Sequence, residues 1–214
     1  MVAALARGLR LSLDERDHLF LLSGYSTPRW ILRGDHVDAG LMRILDRLHD
    51  TPAMVVTGAG ETLLQTPPAV ALFGDEAAHE GLARSVVYRW YTDPTSREVY
   101  PPDDRDGHGR YFTADLRHSY TRDGPGSRAA EIVVALEAAS PEFRTVWAHH
   151  EVTRKRSRLK RLIHPEVGEL EVYCQTLYDV DQSQALLVFT ATPGSASHDK
   201  LQLLTVIGSQ ILPD

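Results

Sequence analysis

The stretch GELEVYCQTLYDVDQSQALLVFT (168–190) decides the fold. Leu170, Val172, Cys174, Thr176 and Tyr178 recur at every second position with Tyr173 and Leu177 between them, and a period of two sends successive side chains to opposite faces of a strand. Gln184 to Thr192 is a second β-rich run. Asp181-Gln182-Ser183 between the two is rich in turn formers, so the pair predicts an antiparallel hairpin. Upstream, the apolar run Ala53 to Thr57, the turn Gly58-Ala59-Gly60 and the run Glu61 to Gln65 predict another hairpin, closed by Pro67-Pro68.

Between these β-rich parts the period is helical. Leu82, Val86 and Trp90 make one stripe, Phe112, Leu116 and Tyr120 a second, and Ile132, Val133 and Leu136 a third. Asp93-Pro94 and Ser140-Pro141 each predict a helix start, because the cap side chain accepts a backbone N–H and proline has none to satisfy. A last helix is expected from about Ser197 to Ile207. Two strands, a block of helices, about three strands and a helix predict an α+β domain with an antiparallel sheet.

Nearer the N-terminus, Val37, Leu41, Ile44, Leu45 and Leu48 fall on one helical face that Pro52 ends. VAALARGLRL (2–11) reads as the end of an amphipathic helix, with Leu5 and Leu9 four apart and Gly8 weakening the last turn. Ser12 stands three residues before Glu15, the spacing of a capping box, and starts a second helix up to Gly24. The expected organisation is residues 1–24 as two short helices, 25–34 as a linker with Pro28, Trp30 and Gly34, and 35–214 as one domain.

Composition narrows the function classes. At 43% apolar, 214 residues can bury a sizeable core. The formal net charge of -6 argues against a surface built mainly to grip phosphates. The single cysteine, Cys174, forbids an intramolecular disulfide and a cysteine-based zinc site, which fits the cytoplasm. No run approaches the roughly 20 apolar residues that cross a bilayer.

The individual motifs are weak. Gly58-Ala59-Gly60 after a strand invites a dinucleotide-binding reading, but Leu63 stands where a third glycine is needed and Pro67-Pro68 blocks the long helix that should follow. A hairpin turn is the stronger expectation. Arg154 to Arg161 holds six cations in eight residues, which suit a solvated edge strand or loop, or contact with an anionic ligand. His149 and His150, adjacent in what reads as a strand, would point to opposite sides, so with His164 they make no metal site. Cys174 among apolar neighbours reads as a core thiol. No nucleophile elbow or triad is evident, so no enzymatic activity is expected.

Taken in order, LARGLRLSLDERDHLFLLSG (5–24), the Leu41 to Pro52 helix, ALFGD (71–75), YTDPTSREVY (91–100), ASPEFRTVWAHHEV (139–152), KRLIHPEVGELEVYCQTL (160–177) and FTATPGSASHDKLQLL (189–204) resemble the MmyB-like regulators of the XRE type. The resemblance covers almost the whole chain. It implies a PAS-like antiparallel sheet of about five strands covered by helices, preceded by the last helices of a helix-turn-helix domain whose earlier helices are missing. It also implies a regulator that binds a small apolar ligand, since one member of known structure holds a fatty acid. No cofactor is implied. DNA would be reached only through the missing helix-turn-helix, and a homodimer is expected. The rival is a truncated interaction module that pairs with full-length regulators and needs no pocket.

Members similar to this chain carry a Trp-Asn pair after the second strand where Leu64-Gln65-Thr66 stands, and an Asn where Ser85 stands. Those changes are expected to alter the pocket's volume and polar lining. Candidate lining residues are Phe73, Trp90, Tyr91, Phe112, Leu116, Phe143, Trp147, Tyr173 and Tyr178, the large side chains beside the apolar stripes. Arg117, Arg144 and His164 are the candidate partners of an acidic head group.

Overall fold

The computed structural model describes residues 2–9, 11–24, 36–151, 159–179 and 184–210. The chain forms two compact units, Met1–Asp35 and His36–Asp214. The expected linker, the turn Asp181-Gln182-Ser183 and the cations Arg154 to Arg158 lie outside the described residues.

In the first unit, Val2–Gly8 (α1) and Leu13–Leu22 (α2) are helices. The capping box closes reciprocally. The Ser12 N–H donates to Glu15 Oε2 at 2.8 Å, and the Glu15 N–H donates to Ser12 Oγ at 3.3 Å.

The second unit is built on five antiparallel strands: β1 (Ala53–Thr57), β2 (Thr62–Gln65), β3 (Leu159–His164), β4 (Gly168–Tyr178) and β5 (Gln184–Thr190), in the spatial order β2-β1-β5-β4-β3. This is the PAS-like α+β sheet that the resemblance implied. Alternation sorts each strand between two covers. On β1 and β5, Ala53, Val55 and Leu186 face outward against Leu41 and Leu45 of helix α3 (Ala39–Leu45). Met54 and Phe189 face inward with Leu162, Leu170 and Val172, against helices α4 (Pro67–Phe73) and α9 (Ala196–Gln210).

The other helices form a second core beside this one. Helices α5 (Val86–Thr92), α6 (Pro102–Asp123), α7 (Arg128–Ala139) and α8 (Pro141–Ala148) bury Trp90, Leu116, Ile132, Leu136 and Phe143 together. Gly109 lies inside α6 because a Cβ there would come within 2.9 Å of Trp90 Nε1. Ser140-Pro141 starts α8 as expected, with Ser140 Oγ accepting from the Phe143 N–H at 3.2 Å. Asp93-Pro94 instead starts only a 3-10 turn, Pro94–Arg97, because Pro101-Pro102 forces a new helix to begin there. Pro67-Pro68 does not merely close the first hairpin but forms the first turn of α4. His149 and His150 are not on a strand; His149 caps α8 and His150 follows it at φ 51°. Among the described residues, no helix is long and apolar enough to cross a membrane.

Thr66 ties the end of the first hairpin together. Its hydroxyl donates to Thr51 O at 2.9 Å and accepts from the Ala53 N–H at 2.9 Å, with Thr66 and Ala53 buried at the start of β1. Thr66→Val leaves that N–H without a partner and is expected to cost about 1–3 kcal/mol in urea unfolding, whereas Thr66→Ser costs little.

Candidate functional site

Helices α4 and α9 lie close on the inner face of the sheet, whereas α5 and α6 stand further off. The gap between them is a cavity of about 290 Å³. From the sheet, Met54 and Val56 of β1, Leu162 of β3, Cys174 of β4 and Leu187 and Phe189 of β5 supply its floor. Phe73 at the end of α4, Val86 and Val87 of α5, and Phe112 and Leu116 of α6 supply its roof, with Val99 and Tyr100 between them. The lining is mostly apolar, which favours an apolar guest.

Among the described residues, the polar groups that reach the cavity include three clusters that carry cations, and Asp115 of α6. At the hairpin end, Ser119 Oγ donates to Gly58 O, and Arg122 pairs with Asp123 at 2.6 Å. A Cβ at Gly58 would sit 2.8 Å from Ser119 Oγ and 2.6 Å from the Arg122 guanidinium, so a larger residue there would push these side chains aside. On a second side, Arg89 donates to the Glu76 carboxylate and, at 3.2 Å, to Arg84 O. Burial raises the Glu76 carboxyl above its ordinary pKa despite the opposing attraction of Arg89. At a third place Lys160 of β3 meets His108 and Tyr111 of α6, with the Lys160 Nζ 5.2 Å from the Tyr111 ring centroid. A second, more open hollow of about 390 Å³ abuts the first there and shares these three residues.

Of the residues expected from sequence, Phe73, Phe112, Leu116 and Tyr178 line the cavity. Trp90, Tyr91 and Phe143 are buried in the adjoining helical core, and Trp147 stacks on Phe143 with centroids 5.3 Å apart. Tyr173 lies on the opposite face of the sheet, 43% exposed. The three expected head-group partners sit elsewhere with structural contacts. Arg117 covers the Trp147 ring at 3.7 Å and donates to Trp147 O. Arg144 donates to Glu137 O at 2.6 Å. His164 accepts the Glu166 N–H at 3.2 Å on Nδ1, which leaves Nε2 to donate to Ala71 O at 2.8 Å. Among the described residues the cations that line the cavity are Arg89, Arg122 and Lys160; the sequence pointed to Lys160 only as one of the Arg154 to Arg161 run, and the strand register, which pairs it with the inward Val172, gives its direction.

The positions that the resemblance singled out as altering the pocket, Leu64, Gln65, Thr66 and Ser85, also lie outside the lining. Ser85 is fully buried, caps α5 and donates to Ala59 O at 2.7 Å. Gln65 Oε1 accepts the Glu76 N–H at 2.8 Å, and Leu64 packs on the outer face. Gly58 and Gly60 do line the cavity, as a nucleotide site would require, but they join two antiparallel strands and no helix starts at them.

One family's sequence model matches residues 37–204, the same stretch that builds the sheet, its helical covers and the cavity: that of the MmyB-like transcription regulator ligand binding domain. The chain belongs to this family. No curated protein matches the chain. Membership of the MmyB-like family makes the cavity the place to look for the ligand, since it is the hollow enclosed by the matched segment.

Protonation at the cavity wall is testable. Burial, and then the neighbouring Lys160, push the His108 imidazole down to about 4. The folded state therefore holds fewer protons than the unfolded chain between pH 6.5 and 4, so this residue's contribution is present above that window and lost as pH falls through it. Urea unfolding at pH 7 and pH 4 is expected to show the wild type losing about 3 kcal/mol more than His108→Phe.

Proposed function

We propose that this domain is the sensor of a transcription regulator and binds a fatty-acid-like amphiphile in the cavity beneath the sheet. The observation that carries the proposal is the apolar hollow of about 290 Å³ between the inner sheet face and α5 and α6. Its size lies at the low end of ligand pockets, roughly 300–1,000 Å³, and favours a single chain over a two-chain lipid. Each buried methylene contributes about 0.8 kcal/mol.

Strands β1 and β5 offer a route for the signal. Met54 and Leu187 line the cavity, while their neighbours Val55 and Leu186 seat α3 on the other face. A guest that favours one curvature of these strands favours one seat for α3, within the segment 35–50, and passes the difference to a DNA-reading domain in a homodimer. We further propose that the domain is not catalytic and acts in the cytoplasm. The antiparallel turn at Gly58–Gly60 supports the first point, because pyrophosphate binding draws on a helix N-terminus. The cavity also separates this proposal from the pocketless interaction module.

Delipidated protein is expected to melt higher with saturated fatty acids of twelve to eighteen carbons. Ligand at a hundred times Kd stabilises by about 2.7 kcal/mol, which is several degrees for a domain of this size. Leu187→Trp fills the hollow and is expected to remove the shift. No shift with any chain length contradicts the proposal.

A further inference from the structure

We propose that His108 of α6 hydrogen-bonds the oxygen head group of a single-chain amphiphile, at the wall where the cavity meets the more open hollow. This rests on the ligand reading given above and adds the residue that meets the head.

His108 is 7% exposed, and its ring lines both the apolar cavity and the outer hollow. Its neighbours are rings. Between centroids, Tyr100 lies 3.9 Å away, Phe112 6.0 Å and Trp90 6.2 Å. Among the described residues, none hydrogen-bonds the imidazole. Buried polar side chains are nearly always hydrogen-bonded, because burying one without a partner costs free energy. A polar ring set in this aromatic cluster therefore points to a partner that enters through the cavity, since a phenylalanine would fill the same space without that cost.

The chemistry of the ring fits an oxygen head. Burial keeps His108 neutral at pH 7, so in either tautomer it carries one N–H donor and one acceptor nitrogen. A carboxylate accepts the N–H, and a hydroxyl can accept it or donate to the other nitrogen. The three aromatic contacts fix the ring before a ligand arrives, which lowers the ordering cost of binding. The chain has apolar lining beside it, with Met54, Phe112, Leu187 and Phe189 among its residues.

The charged groups around this wall are engaged. Asp115 of α6 accepts from the Tyr111 hydroxyl, and the Lys160 ammonium of β3 lies 5.2 Å from the Tyr111 ring centroid. Asp104 of α6 pairs with Arg161 of β3 at 2.6 Å, and Asp103 borders the outer hollow, exposed to solvent. Elsewhere in the lining, Glu76 holds Arg89 and Asp123 holds Arg122. A hydrogen bond to a neutral ring requires none of these groups to change partner.

The rival role for His108 is aromatic packing alone. Imidazole 15N NMR of the delipidated full chain at pH 7.5 separates the two, with dodecanoate and dodecan-1-ol titrated in turn and the Met54 methyl followed as the report of cavity binding. At least one compound is expected to shift a His108 ring nitrogen in step with the Met54 methyl, and the compound that does so names the head. For that compound His108→Phe, which keeps the packing, is expected to bind about tenfold more weakly, the size of one hydrogen bond. Saturable Met54 shifts with unmoved His108 nitrogens, or undiminished affinity in His108→Phe, overturn the assignment but leave the cavity reading standing. If neither compound shifts Met54, the cavity reading falls and the assignment with it.

Discussion

The structure depends on an incomplete contact between two layers. The inner face of the sheet is mostly apolar and must be covered, yet only α4 and α9 sit close upon it. Over the rest, α5 and α6 are held away by large side chains that pack among themselves: Trp90 meets Phe112 at 5.2 Å and Tyr100 at 5.8 Å, and Tyr100 meets His108 at 3.9 Å. Protein interiors are ordinarily packed as densely as organic crystals, so a hollow of this size is built by the arrangement of elements and is not slack in a core. The same aromatic cluster that stabilises the helical half thus sets the height of the cavity.

The alternation of the strands gives that cavity a mechanical partner. Each of β1 and β5 carries a lining residue on one face and a seat for α3 on the next position, with no layer between. A sheet only one residue thick cannot alter its inner contacts without moving its outer ones. Under the proposed function, ligand sensing and transmission share one element, which makes a two-state response possible without a long chain of intermediaries.

Much of the fold was legible because its signals are local. The period-two run from Leu170 to Tyr178, the capping box at Ser12 and Glu15 and the Ser140-Pro141 start each fix a conformation within a few residues. The site was less legible because lining is a tertiary property. Trp90, Tyr91 and Phe143 have the size and position of lining residues, but a solid core uses the same side chains, and they fill one. Arg117 and His164 stand beside apolar stripes, yet Trp147 and Ala71 take up their hydrogen-bonding groups. Lys160 looked like one of a run of surface cations; its inward direction follows only once β3 is registered on β4. Gln65 and Ser85, expected to alter the pocket, leave the cavity untouched, because their polar groups cap backbone at its margins.

The central claim is most directly tested by methyl NMR of the delipidated protein titrated with dodecanoate. Saturable shifts are predicted for the methyls of Met54, Val56, Leu116 and Leu187, with much smaller ones for Leu41 and Leu45 of α3 across the sheet. Shifts confined to the α3 side, or none at saturating ligand, would contradict the account.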